Sequence, residues 1–541
     1  MRGHAYQGFS PRRLMRPSLA MALALTGCAA LVPHDEFQVF DRDAARKVFA
    51  AGYSIIQDKY ISPVSSKTVA AAGLSGLATL DPDVKVEIGG DFIHLTLPDG
   101  VTADLAVPAD DDAQKWAIIT ARAIEVTRAH SKIIGARSSE DLYQAVFKTA
   151  LAEFDRFSRY LPAAAARNAR ASRDGYGGIG IRLQIDPGRV TIESVVTDTP
   201  AAQAGLQVGD VIVRIDQFEV APMEESEVVE RLRGRVNSPV SLTVARENRP
   251  DQMTVALHRA HIVNPTVELE QRDSVALIRL TGFNQATSRQ LSRAIERAHA
   301  DMGDKMKGVV LDMRDNPGGL LDQAVAVSDF FLTSGRIVST KGRHAQSMQT
   351  YEASGRDQSF DLPLVVLVNG RSASAAEIVA AALQDDSRAV VVGSNTYGKG
   401  TVQNLSQLPN EGELVLTWSI YHAPSGYALD NLGILPNVCT SGFKGRPEDV
   451  LDQLSPTWTR MPNLMATWRV GSPGDGAKRD AMRANCPRSN ESRDFDVEVA
   501  SKLIADPALY RRALQLTNTT VLAGPAAQSS PVPQQSSPVS Q

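Results

Sequence analysis

The sequence predicts a multidomain chain of α/β and α+β character, and three observations carry that prediction. From residue 274 onward, short apolar runs alternate with amphipathic helical patterns, the signature of a mixed α/β domain whose sheet is buried. Between about 178 and 260 the period shortens to strand-like alternation broken by glycine turns. On either side, residues 35–170 and 446–517 carry mainly helical spacing. The chain has 541 residues, 43% hydrophobic and 22% charged, with a net charge of −4. That is ordinary globular composition for several domains. No basic field points to nucleic acid.

Taken in order, the N-terminal stretch "PRRLMRPSLAMALALTGCAALVP" has a positive region at Arg12, Arg13 and Arg16 and a short apolar run from Leu19 to Leu25. It is too short to span a bilayer and reads as a secretory signal over 1–28. It ends in Leu25-Thr26-Gly27-Cys28, which resembles a bacterial lipobox. The resemblance implies lipidation of Cys28 and, with Ala29 rather than Asp following it, an outer-membrane anchor facing the periplasm. Two further cysteines remain, Cys439 and Cys486. In an oxidising compartment they could pair; two independent buried thiols would fit the sequence equally.

"DRDAARKVFAAGYSIIQDKY" opens the helical region. Within it, "VKVEIGGDFIHLTLPDGVTADL" alternates apolar and polar residues around Gly89-Gly90 and Asp99-Gly100, which predicts a small β-meander over 83–108. "DGYGGIGIRLQI" begins the short-strand domain, 171–262. "MEESEVVERLRG" is its clear helix. The core, 263–445, follows with "VALIRLTGF", "MKGVVLDM", "LPLVVLVNG" and "AVVVGS" as strands. Residues 518–541 are low-complexity and lack the apolar mass for a core, so they read as disordered.

Three strand-to-loop junctions carry chemistry. In "LDMRDNPGGLL" the backbone N–H groups of Gly318 and Gly319 could receive a developing negative charge, although Asn-Pro-Gly-Gly is also ordinary turn chemistry. In "VNGRSASAAE", Ser374 and Glu377 form S-x-x-E ahead of an apolar run. That is a capping box. A helix start is also where a nucleophilic serine sits in a favourable field, with the Ala375 N–H aimed alongside, so cap and nucleophile ask for the same geometry. In "SNTYGKGTVQ", Lys399 lies between two glycines. A lysine there is ordinarily solvated, but burial could lower its pKa far enough to make it a base. Gln403, four residues on, could orient its amine.

With these motifs in order, the chain resembles the carboxyl-terminal processing peptidases, or tail-specific proteases, over roughly residues 135–440. "SEDLYQAVFKTALAEFDRFSRYL" resembles the helix before their PDZ domain. "YGGIGIRL" and "TPAAQAGLQVGDVIVRID" resemble a bacterial PDZ domain, and "YHAPSGYALDNLGILPN" the closing segment of the protease core. The resemblance implies a serine endopeptidase with Ser374 as nucleophile, Lys399 as base and Gln403 as its support. The oxyanion donors would be Ala375 and one of Gly318 or Gly319, with Ser372 a loop residue. No metal or organic cofactor is implied. Gly178, Ile179, Gly180 and Ile181 would receive the free C-terminus of a protein substrate, and Val228, Val229 and Leu232 would line the side-chain groove. The family further implies a homo-oligomer or an adaptor lipoprotein as partners. A non-catalytic PDZ scaffold is the alternative. A penicillin-binding type of Ser-Lys enzyme would need S-x-x-K on one helix turn plus a KTG strand; here Ser374 and Lys399 lie on separate elements and no KTG occurs. Gln217 and Asn237-Ser238 depart from the family's turn glycines and put the groove's shape in question.

Overall fold

A computed structural model describes residues 40–516 apart from 110, 248, 455–459 and 471–475. The signal segment with Cys28 and the 518–541 tail lie outside the described residues.

The N-terminal helices start where the sequence supplies caps. Asp41 accepts the Ala44 N–H at 3.0 Å, and Ser138 with Asp141 closes a capping box on Ser139–Ala152. Their apolar faces bury Phe49, Tyr53, Trp116 and Phe147 in one cluster. The meander is a three-stranded antiparallel sheet of Lys85–Gly89, Phe92–Thr96 and Thr102–Ala106. One strand escaped the sequence reading. Arg159–Leu161 is only three residues long, too short to show a period, and it pairs with Glu413–His422 far along the chain.

The PDZ-like sheet runs in the order Met253–His258, Pro239–Ala245, Val211–Ile215, Arg189–Val195, Ile181–Asp186. Its last strand is an edge, and the helix Glu225–Leu232 supplies the apolar wall beside it. The chain enters and leaves this unit through a two-stranded pairing of Tyr176–Gly178 with Ala260–Ile262.

The core sheet has six strands: Val267–Arg272, Val275–Leu280, Gly308–Asp312, Leu364–Val368, Ala389–Gly393 and Val438–Cys439, in that order. All neighbours but the first pair are parallel. The middle three strands are buried at every position, as a sheet covered on both faces requires. Their carboxyl ends are the three junctions singled out above. In an open α/β sheet this is where sites form.

A second sheet was not anticipated: Gln349–Glu352, Arg336–Gly342, Glu413–His422 and Thr401–Gln407. Arg336–Gly342 and Thr401–Gln407 mix exposed and buried positions, so their apolar signal is diluted. The C-terminal helices are not a separate layer with their own core. Trp468, Met482, Val499 and Leu503 join the same cluster as the core sheet.

Candidate active site

Ser374 is the residue before the helix Ala375–Asp385. Its backbone has φ 55° and ψ −115°, far from the extended conformation of an ordinary N-cap. A non-glycine residue is strained there, and such strain collects at functional sites. Gly318 packs directly on this corner. A Cβ on Gly318 would lie 2.8 Å from the Ser374 Cβ and 2.9 Å from the Ala375 nitrogen, so only glycine fits.

Glu377 organises the site. Its side chain is wholly buried, and it accepts four hydrogen bonds. One carboxylate oxygen takes the backbone N–H of Ser374 at 2.7 Å and that of Lys399 at 2.9 Å. The other takes the Gly398 N–H at 2.6 Å and the Thr396 hydroxyl. The capping box is therefore only half of what Glu377 does. It also ties the serine corner to the lysine loop, which lies 22 residues away in the chain. Burial pushes its carboxyl pKa up, while the four donors pull the other way. Four donors on two oxygens is the pattern of an ionised carboxylate.

Lys399 is half-buried, and its pKa falls from 10.5 to about 8. Desolvation is the main cause and the charge of Arg159 the second, against the opposing pull of Glu377 and Asp155. Its Nζ lies 5.2 Å from the centroid of the Phe157 ring. Phe157 and Arg159 come from the end of "SEDLYQAVFKTALAEFDRFSRYL", a stretch that reads as a helix before the PDZ domain and not as part of the site. Gln403 sits two residues beyond Thr401 and gives its Nε2 to the hydroxyls of Thr401 at 2.8 Å and Thr417 at 3.4 Å. Its Oε1 has no partner among the described residues, and no hydrogen bond joins Gln403 to Lys399 there.

The glycine turn divides its two N–H groups. That of Gly318 donates to the Asn316 side chain at 2.9 Å. That of Gly319 has no acceptor among the described residues. Ala375 opens the helix, so its N–H has no intrahelical acceptor either. Tyr421 is buried beside the serine. Burial raises its phenol pKa, and a hydrogen bond with Ser374 opposes the rise. Ser372 is structural: its hydroxyl donates to the Met313 carbonyl at 2.7 Å and accepts the Asn369 N–H at 2.9 Å.

In the PDZ-like unit, a groove of about 170 Å³ is lined by Gly178, Ile179, Gly180, Ile181, Val229 and Leu232. Val228 corrects the reading. It is fully buried in the core of the unit and is not among the residues that line the groove, whereas Val229 and Leu232 are. Two charged residues not anticipated also line it, Glu225 at one end of the helix and Arg233 at the other. Gly180, at φ 85°, carries the chain around the corner against Thr199.

Cys439 and Cys486 are joined in a disulfide.

Comparison with known proteins agrees with this architecture. Residues 274–440 match the model of peptidase family S41, and residues 177–257 match that of the PDZ domain. A carboxy-terminal-processing protease of Bartonella bacilliformis is 36% identical over 313 residues, covering 58% of this chain and 72% of the relative. One from Picosynechococcus is 32% identical over 308 residues, covering 56% of this chain and 73% of the relative. Among solved structures, a photosystem II D1 C-terminal processing protease aligns at 23% identity and a TM-score of 0.37, covering 73% of this chain and 92% of its own. The PDZ domain of a Vibrio cholerae carboxy-terminal protease, solved with a peptide, aligns at 30% identity and a TM-score of 0.15 over 16% of this chain and 96% of its own. The chain belongs to peptidase family S41, as a serine endopeptidase of the carboxyl-terminal-processing type with a PDZ domain.

Proposed function

We propose that the chain cleaves proteins near unstructured, apolar C-termini through a Ser374–Lys399 dyad. The observation that carries this is the single Glu377 oxygen shared by the Ser374 and Lys399 amides, with Lys399 desolvated to a pKa of about 8. A lysine near neutrality can accept a proton from a serine hydroxyl. Ser374 Oγ attacks the scissile carbonyl while its proton passes to Lys399 Nζ. The N–H groups of Ala375 and Gly319 receive the oxyanion. The ammonium returns the proton to the leaving amine. Lys399 then deprotonates the water that hydrolyses the acyl-enzyme, and Gln403 Oε1 steadies the amine throughout.

The substrate would dock by adding a strand to the open edge Ile181–Asp186. Its terminal carboxylate would meet the backbone at Gly178–Ile181, with Arg233 close by. Ile181, Leu183, Val229 and Leu232 give the groove its apolar lining.

We propose further that a lipid on Cys28 anchors the enzyme to the outer membrane, facing the periplasm; the lipobox-like Leu25-Thr26-Gly27-Cys28 and a disulfide that suits an exported setting support this reading. Replacing Cys28 by Ala should move the protein from the membrane to the soluble fraction; an unchanged distribution would remove the anchor.

The test of the peptidase reading uses the chain from residue 29 onward and an unfolded protein with an apolar C-terminus. The parent should cut it, and Ser374→Ala should not. Equal cutting by both would reduce Ser374 to a helix cap.

A further inference from the structure

The stretch from Arg483, the last residue of the helix Gly476–Arg483, to Ser492, just before the helix Asp494–Ala505, has few buried apolar side chains, yet it touches all three catalytic junctions. Arg483 donates to the carbonyl of Thr396 at 2.7 Å, on the lysine loop, and to those of Asn431 and Leu432. Arg488 donates to the Gly370 carbonyl at 2.8 Å, and the Gly370 N–H donates to the Ser489 carbonyl at 2.7 Å, on the serine loop. The Ser489 N–H donates to the Ser394 hydroxyl at 3.1 Å. The Ser492 hydroxyl donates to Asp315 at 2.7 Å, on the glycine turn. Arg488 also lies over the Tyr397 ring at 4.9 Å.

Cys486 sits between these two groups of contacts, and its bond to Cys439 anchors it at the last strand of the core sheet. Hydrogen bonds of this kind, most of them only partly buried, are individually weak. The covalent link is what fixes the segment in register with the loops.

We propose that residues 483–492, stapled by the Cys439–Cys486 disulfide, are a strap that positions the catalytic loops, and that reducing this bond lowers turnover while the core stays folded. The inference rests on the peptidase reading above. Cys439 is half-buried and Cys486 fully buried, so a dithiol reductant enters at Cys439. Its thiolate attacks the Cys439 sulfur, the S–S bond breaks, and Cys486 leaves as a thiolate and is protonated. The second thiol of the reductant then displaces Cys439. Two electrons pass to the protein, which holds two thiols, and the reductant closes to a cyclic disulfide. Arg483 and Arg488 act here as positioning residues. Misplacing a catalytic group by about 1 Å can cost on the order of 100-fold in rate.

The experiment compares the oxidised chain with the same chain in dithiothreitol, after titration confirms two new thiols. It also includes Cys439→Ser/Cys486→Ser, which reductant should leave unaffected. On reduction, kcat should fall about tenfold or more with KM nearly constant, since the loops and not the PDZ groove are released. Backbone exchange at Gly370, Ser374 and Lys399 should quicken, while the strand Leu364–Val368 stays protected. In the oxidised chain, Arg488→Ala should lower kcat and Arg488→Lys should restore part of it. Unchanged kcat and exchange with both thiols free would overturn the strap, and so would loosening throughout the core. If the oxidised chain cuts nothing yet its loops loosen on reduction, the strap stands and the peptidase reading fails.

Discussion

Ser374, Glu377 and Lys399 are separated in sequence and joined by one carboxylate. Glu377→Gln tests that junction. The amide keeps one acceptor oxygen but turns an N–H donor toward two of the N–H or O–H groups that now donate to it. A fall in kcat of about 100-fold is expected from the loss of alignment, with the helix retained by circular dichroism; activity within twofold of the parent would dismiss the junction. Phe157 sets the other half of the site. Phe157→Ala opens Lys399 to water, relieves desolvation and raises its pKa toward the ordinary lysine value. The pH at which activity reaches half its plateau should therefore move upward; no movement would mean that Phe157 does not supply the desolvation of Lys399. At this scale the sequence was partly legible. S-x-x-E marked Ser374 and Glu377 at once, because a capping box is a local pattern. It could not show that Glu377 also faces Gly398 and Lys399, since those contacts close only when parallel strands bring distant loops together. Phe157 and Arg159 lie in a quoted motif, but its helical pattern could not show that they reach Lys399, for the same reason.

Among the elements, the PDZ groove combines an edge strand with a helix face. Glycines in "YGGIGI" announced the corner, and alternation announced the strand. The helix was found too, but Val228 and Val229 are adjacent valines, and composition alone could not say which faces inward. The structure assigns Val228 to the core and Val229 to the groove. Val229→Asp should raise KM for a free C-terminal substrate roughly tenfold, the equivalent of about 1.4 kcal/mol, with kcat unchanged. Amidating the substrate's C-terminus should raise KM likewise in the parent. Indifference to both would remove the groove from substrate binding.

The whole molecule is organised by shared cores more than by successive segments. Leu408, Leu414 and Leu416 belong in sequence to the protease region, yet they are buried with Phe147 and Trp116 in the N-terminal cluster. The C-terminal helices likewise complete the core around the catalytic sheet. Helical spacing revealed both terminal regions but not where their apolar faces would rest, because that depends on strands such as Arg159–Leu161 that pair across the chain. Leu414→Ala should cost about 2–5 kcal/mol as a cavity in a packed core. Chemical denaturation would check this, and a loss well below 1 kcal/mol would mean that the two regions do not stabilise each other through it.

The three catalytic junctions meet at one end of the buried sheet, and the chemistry assigned to them turns on one proton. The most direct measurement is the pH dependence of kcat/KM for an unfolded protein substrate. Lys399 must be neutral to accept the serine proton, so activity should be low in acid and rise with a single ionisation near pH 8, the value to which burial brings this lysine. A flat profile through that region, or a limb near the histidine value of about 6.5, would contradict a Ser374–Lys399 dyad.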